Sequence, residues 1–248
     1  LQQSPLWQHG TEASRQQVLG DLPALGGVPY GVNNVTPSPK PSGRVVEASS
    51  KKDPRFAFQG GPAAATRHAL EIQRGDRRFH VEVVRPDGAA PGQHLPSLAQ
   101  IKSGLARLPD DQLSRMERVI VQPSGEPGEG MATMGDDGTV HISPAHSPEE
   151  AKARFAPGEM AEIFSHEVGH LASIPPLGQD EGSPGWQRYR AAMEKDGFPP
   201  SGYATTNGPE DFAETYALWR SAKGDPKSYA AYKKLFPHRF QFLEAGGY

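Results

Sequence analysis

Five consecutive residues, His166-Glu167-Val168-Gly169-His170, constrain the fold more than any others in the chain. Two imidazoles four residues apart can act together on a helix. There, four residues turn through about 400°, so both side chains leave the same face one turn apart. The flanking sequence is that of a helix. Met160, Ile163, Phe164, Val168 and Leu171 recur at helical spacing and form an apolar stripe. The pattern predicts a helix from near Pro157 to about Ser173, stopped by Ile174-Pro175-Pro176 because proline has no N–H for the ladder. On such a helix His166 and His170 can hold one zinc ion, and Glu167, about 100° further round than His166, can act as a general base on a water. The competing reading is a solvated helix face that carries two histidines.

The elements around this helix define the fold class. Residues 69–73 and 79–84 read as two strands of a hairpin with Gly75-Asp76 between them. Residues 96–107 and 110–118 have helical spacing, and Val119-Ile120-Val121 is a short buried strand. Met131–Met134 and Thr139–Ser143 form a second hairpin across Gly135-Asp136-Asp137-Gly138, with Asp-Gly as its turn chemistry. One of these two strands should be the sheet edge that runs beside a cleft. His141 and His146 lie on it or just after it, and an ordinary exposed role suits both. No strand is expected after Ser143. Ser147 caps a helix that Pro148 opens, and further helices are expected at about 184–196, 209–222, 226–235 and 237–244. Strands precede helices instead of alternating with them, so the fold class is α+β, mainly helical with a small antiparallel sheet.

Between Leu25 and Phe56 there is no Leu, Ile, Met, Phe or Trp, and Thr36–Gly43 alternates prolines with polar residues. Such a stretch favours an extended, semi-stiff conformation. Residues 1–60 therefore read as an extended N-terminal arm and 61–248 as the folded domain. The opening residues have neither a basic start nor an apolar core, so they do not form a signal peptide, and the chain reads as a piece of a longer protein or a processed form. Nowhere does an apolar run reach membrane-spanning length. The net charge of −3 leaves no electrostatic footprint for nucleic acid. There is no cysteine, which excludes disulfides, thiolate metal sites and cysteine nucleophiles together.

Zinc needs a third protein ligand and an open position if it is to be catalytic. A downstream glycine and histidine ligand would have to stand at 173 and 176, where the chain has Ser173 and Pro176. The remaining candidates are Glu181, Glu194, Glu210 and Glu214. Glu181 sits in a turn, and Glu194 shares its helix with Arg188, Arg190 and Lys195, which suits a solvated charge. Glu210 and Glu214 lie four apart on one helix face, where two carboxylates repel unless a cation is near. One of the pair would bind metal, and the other would accept the outer N–H of a ligand histidine. Acids placed in a first turn for the helix dipole are the alternative explanation. Tyr203 precedes this helix in a loop from which a phenol could donate to a developing oxyanion. On residue type alone, an aromatic that pins a loop fits equally well.

Together the HEVGH helix, the Tyr-Ala-Thr-Thr-Asn segment and Glu-Asp-Phe-Ala-Glu resemble the gluzincin zinc metallopeptidases, in particular the catalytic domain of anthrax lethal factor and similar secreted bacterial toxins. The resemblance covers about residues 158–244. It implies a zincin-like fold, with His166, His170 and Glu210 as ligands of one catalytic Zn2+, Glu167 as general base and Tyr203, seven residues before Glu210, assisting at the tetrahedral intermediate. It puts Glu214 beside a ligand histidine. Pro209 and the short interval from His170 to Glu210 depart from the family pattern, and they leave Glu214 as the alternative ligand.

The implied activity is endopeptidase cleavage of a protein or peptide substrate. Domains of this kind ride at the tail of larger secreted bacterial proteins, including type VI secretion spike and recombination-hot-spot toxins, which implies an effector secreted or injected into a target cell. An intracellular housekeeping metallopeptidase and a non-enzymatic zinc-containing binding module are the other two readings.

Overall fold

In the computed structural model, which describes residues 43–126 and 131–246, the chain is a mixed α and β protein. Among the described residues six strands form one sheet: β1 (Arg44–Phe58), β2 (Gly61–Arg74), β3 (Arg77–Pro86), β4 (Arg118–Val121), β5 (Ala132–Met134) and β6 (Thr139–Ile142), in the order β1-β2-β3-β4-β6-β5. The helices among the described residues are α1 (Leu98–Leu105), α2 (Asp110–Leu113), α3 (Pro148–Arg154), α4 (Pro157–Leu177), α5 (Pro184–Asp196), α6 (Gly208–Ala222), α7 (Pro226–Leu235) and α8 (Pro237–Ala245). This order agrees with α+β in its general sense.

The sheet corrects the expected small antiparallel one. β1, β2 and β3 pair antiparallel, but β4 runs parallel to both β3 and β6. The connection from β3 to β4 carries α1 and α2, so the chain crosses over and returns in the same direction, as a parallel neighbour requires. The hairpin expected across Gly135–Gly138 is present, with β5 on the outside and β6 between β4 and β5. Gly138 has φ +77°, and a Cβ there would stand 2.6 Å from the Arg115 carbonyl oxygen, so the turn admits only glycine.

The arm expected at 1–60 overlaps this sheet. Its last part, Arg44–Phe58, is β1, and residues 1–42 lie outside the described residues. β1 was illegible because it is an edge strand with solvent on most of its length. Its side chains need not alternate apolar and polar, and only its inward-facing backbone groups pair, with β2. Two register shifts, at Glu47/Ser49 and Asp53/Phe56, and Pro54 within the strand blunt that edge against further pairing.

The described chain divides between Leu171 and Ala172, inside α4, into two compact units. In the first, residues 43–171, Leu70 and Ile72 of β2 lie opposite Val81 and Phe79 of β3, all buried on one face of the sheet. The other face carries a smaller cluster of Phe58, Ala65, Val84 and Ile120. Ser97 and Gln100 form a capping box at the start of α1. That helix approaches α4 closely at Gly104, where a Cβ would lie 2.8 Å from Met160 Cβ and 2.9 Å from Phe164 Cε2. From α2, the buried Gln112 Nε2 donates to Ser165 Oγ over 2.7 Å. Met160, Phe164 and Val168 are wholly buried, each contributing roughly 1.5–3 kcal/mol, so the helix with the two histidines is held by its own apolar stripe.

In the second unit, residues 172–246, α4 does not stop at its prolines. Pro175 and Pro176 lie within the helix, which ends at Leu177, and Gly178 at φ +86° donates its N–H to the Ile174 carbonyl over 2.8 Å. Proline removes a ladder N–H, but its fixed φ is helical. Two prolines in the final turn therefore let the turn close before the ladder runs out. Ser183, Asn207 and Asp225 cap α5, α6 and α7, each with a proline in the following turn. The core is aromatic: Trp186, Tyr189, Phe212, Tyr216, Trp219 and Phe240 are almost fully buried, and Tyr189 meets Phe212 edge-on at 5.1 Å.

Candidate metal centre

Helical geometry does what the spacing demands. His166 and His170 leave α4 on one face, with ring centroids 4.9 Å apart and their Nε2 atoms 3.1 Å apart. Two nitrogens bound to one tetrahedral zinc at about 2.0–2.1 Å would stand about 3.3 Å apart, so the pair is set at the separation one ion requires. Both rings are half-buried, and Glu167 between them is buried.

The third member comes from α6. Asn207 Oδ1 accepts the Glu210 N–H over 2.8 Å, which fixes the first turn of that helix. Ligand atoms of His166, His170 and Glu210 all lie within 4.8 Å of one another, and this is the group among the described residues that could hold a metal ion. Two imidazoles and a carboxylate suit zinc and also other first-row divalent ions, so the donor set fits a metal without choosing one.

The other candidate carboxylates stand outside this group. Glu214, one turn along α6, is buried. Glu181 accepts from Arg190 Nη2 over 2.8 Å, and Glu194 is exposed on α5. Tyr203 begins a short 3₁₀ turn, Tyr203–Thr205, that Ser201 Oγ caps by accepting the Ala204 N–H over 2.9 Å. Tyr203 is 47% exposed.

The remaining histidines have local roles. His141 is on β6, an interior strand, so the edge is β5. Gln122 Nε2 lies 2.8 Å from His141 Nδ1, and burial holds its pKa below the ordinary histidine value. The backbone N–H of His146 donates to Glu150 over 2.8 Å. Sequence reading gave no role to Arg154, which is buried and donates to the carbonyls of Met131 and of Pro144, which flank the open end of the β5–β6 hairpin. No periodicity marks an arginine that binds backbone carbonyls, so no sequence signal could have found it. No protein-family model and no curated protein matches this chain.

Proposed function

We propose that this protein is a zinc-dependent endopeptidase of the gluzincin type on a zincin-like fold. The observation that carries the reading is the group of His166, His170 and Glu210, which joins a two-histidine helix motif to a carboxylate forty residues later in the chain. A buried glutamate between those histidines, and an exposed tyrosine just before the glutamate helix, supply the other parts of such a site.

His166, His170 and Glu210 would hold the ion. When bound, zinc supplies a Lewis acid that polarises a carbonyl and makes water more acidic. Glu167 takes a proton from the attacking water and passes it to the leaving amine, so that the peptide bond breaks with its nitrogen protonated. The Tyr203 hydroxyl donates to the oxyanion of the tetrahedral intermediate. Glu214 steadies a ligand imidazole through its outer N–H. The biological role proposed with this activity, a toxin or effector domain of a larger secreted bacterial protein, rests on the resemblance of the motifs.

The test is Glu167→Gln. Metal content should stay at the wild-type level while cleavage of a random peptide library falls to background. A wild-type protein that carries metal but cleaves nothing in the library would refute the peptidase reading and favour a zinc-containing binding module.

A further inference from the structure

A deeply buried ionic cluster includes Asp211, the neighbour of Glu210 in sequence. Arg239, on α8, is 1% exposed, and the Asp196 and Asp211 side chains it pairs with are 0% and 1% exposed. Arg239 Nε donates to Asp211 Oδ1 over 2.8 Å and Nη2 to Asp211 Oδ2 over 2.7 Å, a bidentate fork on one carboxylate. Its Nη1 donates to Asp196 Oδ2 over 3.2 Å and to the Phe198 carbonyl over 3.0 Å.

Each carboxylate also accepts hydrogen bonds from a second helix. Asp196, the last residue of α5, accepts the backbone N–H groups of His238 and Arg239 over 2.9 Å and 3.0 Å. It caps α8 from another helix, where the local N-cap position, Phe236, has no capping side chain. Asp211 Oδ1 accepts the Tyr189 hydroxyl over 2.7 Å, and Thr215 Oγ1 donates to the Asp211 carbonyl over 2.7 Å. Burial opposes the charge on Arg239, but the hydrogen bonds and charges of Asp211 and Asp196 outweigh it and raise its pKa.

A buried ion cluster of this kind contributes little stability beyond what apolar residues of similar volume would give. What it does supply is geometry. A fork on a planar carboxylate fixes where Asp211 points, and in a helix each residue is locked about 100° from the next. Fixing Asp211 therefore fixes Glu210 on the same turn. Asn207 holds that turn along the helix axis, and Arg239 holds it about the axis.

We propose that Arg239 is a positioning residue for the metal centre: by clasping Asp211 it sets the rotation of the first turn of α6 and so aims the Glu210 carboxylate. The inference rests on Glu210 being a metal ligand, not on the protein being a peptidase. Its test reads metal directly, with Arg239→Lys, which keeps the charge and loses the fork, and Tyr189→Phe, which removes one hydrogen bond to Asp211 at nearly constant volume. Zinc affinity is measured by chelator competition on the full chain, alongside the visible spectrum of the Co2+-substituted protein and the melting temperature without metal.

The expected result for Arg239→Lys is zinc affinity weakened roughly tenfold or more, with a changed Co2+ spectrum. Tyr189→Phe should show a smaller loss in the same direction. A purely structural role would lower the melting temperature and leave the affinity of the folded protein and its Co2+ spectrum unchanged, and that result overturns the proposal. If Arg239→Lys does not fold, Tyr189→Phe decides alone by the same criteria. Wild-type protein that binds neither ion overturns the metal reading, and the positioning role with it.

Discussion

The approach of α1 to α4 at Gly104 can be tested with a single methyl group. Gly104→Ala would place a Cβ 2.8 Å from Met160 Cβ, 2.9 Å from Phe164 Cε2 and 3.2 Å from the Met160 carbonyl carbon. Carbon atoms at rest stand about 3.5–4.0 Å apart. The Phe164 ring can tilt away, but Met160 Cβ and its carbonyl carbon are fixed to the α4 backbone, so that helix must move by about 0.7 Å or more. Overpacking of this kind costs about 1–3 kcal/mol, with the backbone contact pointing to the upper part of that range. Alanine recovers up to about 1 kcal/mol over glycine in a helix. The net expectation is about 1–2 kcal/mol of destabilisation. At about 2–4 °C per kcal/mol for a chain of this size, the melting temperature should fall by about 2–8 °C, measured by circular dichroism without metal. His166 follows Met160 by six residues on the same helix, so zinc affinity should fall as well. A Gly104→Ala protein as stable as wild type, or more so, would refute the argument, because the helix-propensity gain would then have met no steric opposition.

Three further outcomes bear on the metal centre and the sheet. Glu210→Ala should abolish zinc binding, whereas Glu214→Ala should weaken it by roughly 10–100-fold and leave it measurable; metal analysis that gave the reverse pattern would move the ligand one turn along α6. Acidification to about pH 4.5 should release zinc, since protons compete with the metal for imidazole, and an unchanged zinc content there would exclude a two-histidine site. Burial lowers the His141 pKa, Asp137 partly offsets it, and Arg118 lowers it further. The unfolded chain then binds this proton more readily than the folded one. His141 should therefore contribute stability that is full above about pH 6.5 and lost as the pH falls through its folded pKa. His141→Phe should flatten the pH dependence of urea unfolding over that range, and an unaltered slope would show that the site is not desolvated.

What could be read from the chain was what helical and strand periods encode locally. The His166 and His170 pair, its apolar stripe, the Asp137-Gly138 hairpin and the capped starts of α3 and α6 each depend on residues within about five positions of one another. They required no knowledge of the rest of the molecule. The first strand, Arg44–Phe58, escaped because an exposed edge needs no apolar alternation, and its partner β2 supplies the hydrogen bonds. Pro175 and Pro176 suggested a stop at about Ser173, four residues before the helix ends at Leu177, because a stop depends on which carbonyls still need a donor and not on composition.

By itself, the sequence determined that two imidazoles share one face of a helix, because a spacing of four fixes that in any helix. Only the tertiary structure decided which carboxylate joins them. Residue types and spacing left Glu210 and Glu214 as a pair on one helix face, the family resemblance named Glu210, and Glu210 is the one grouped with the histidines. Only the tertiary structure, too, buried Arg239 against Asp211 and Asp196, residues 28 and 43 positions away. The physical reason is the same in both cases. Local periods fix directions within one element, but a contact between elements depends on how buried surfaces and charges are satisfied across the whole fold, which no short stretch of sequence contains.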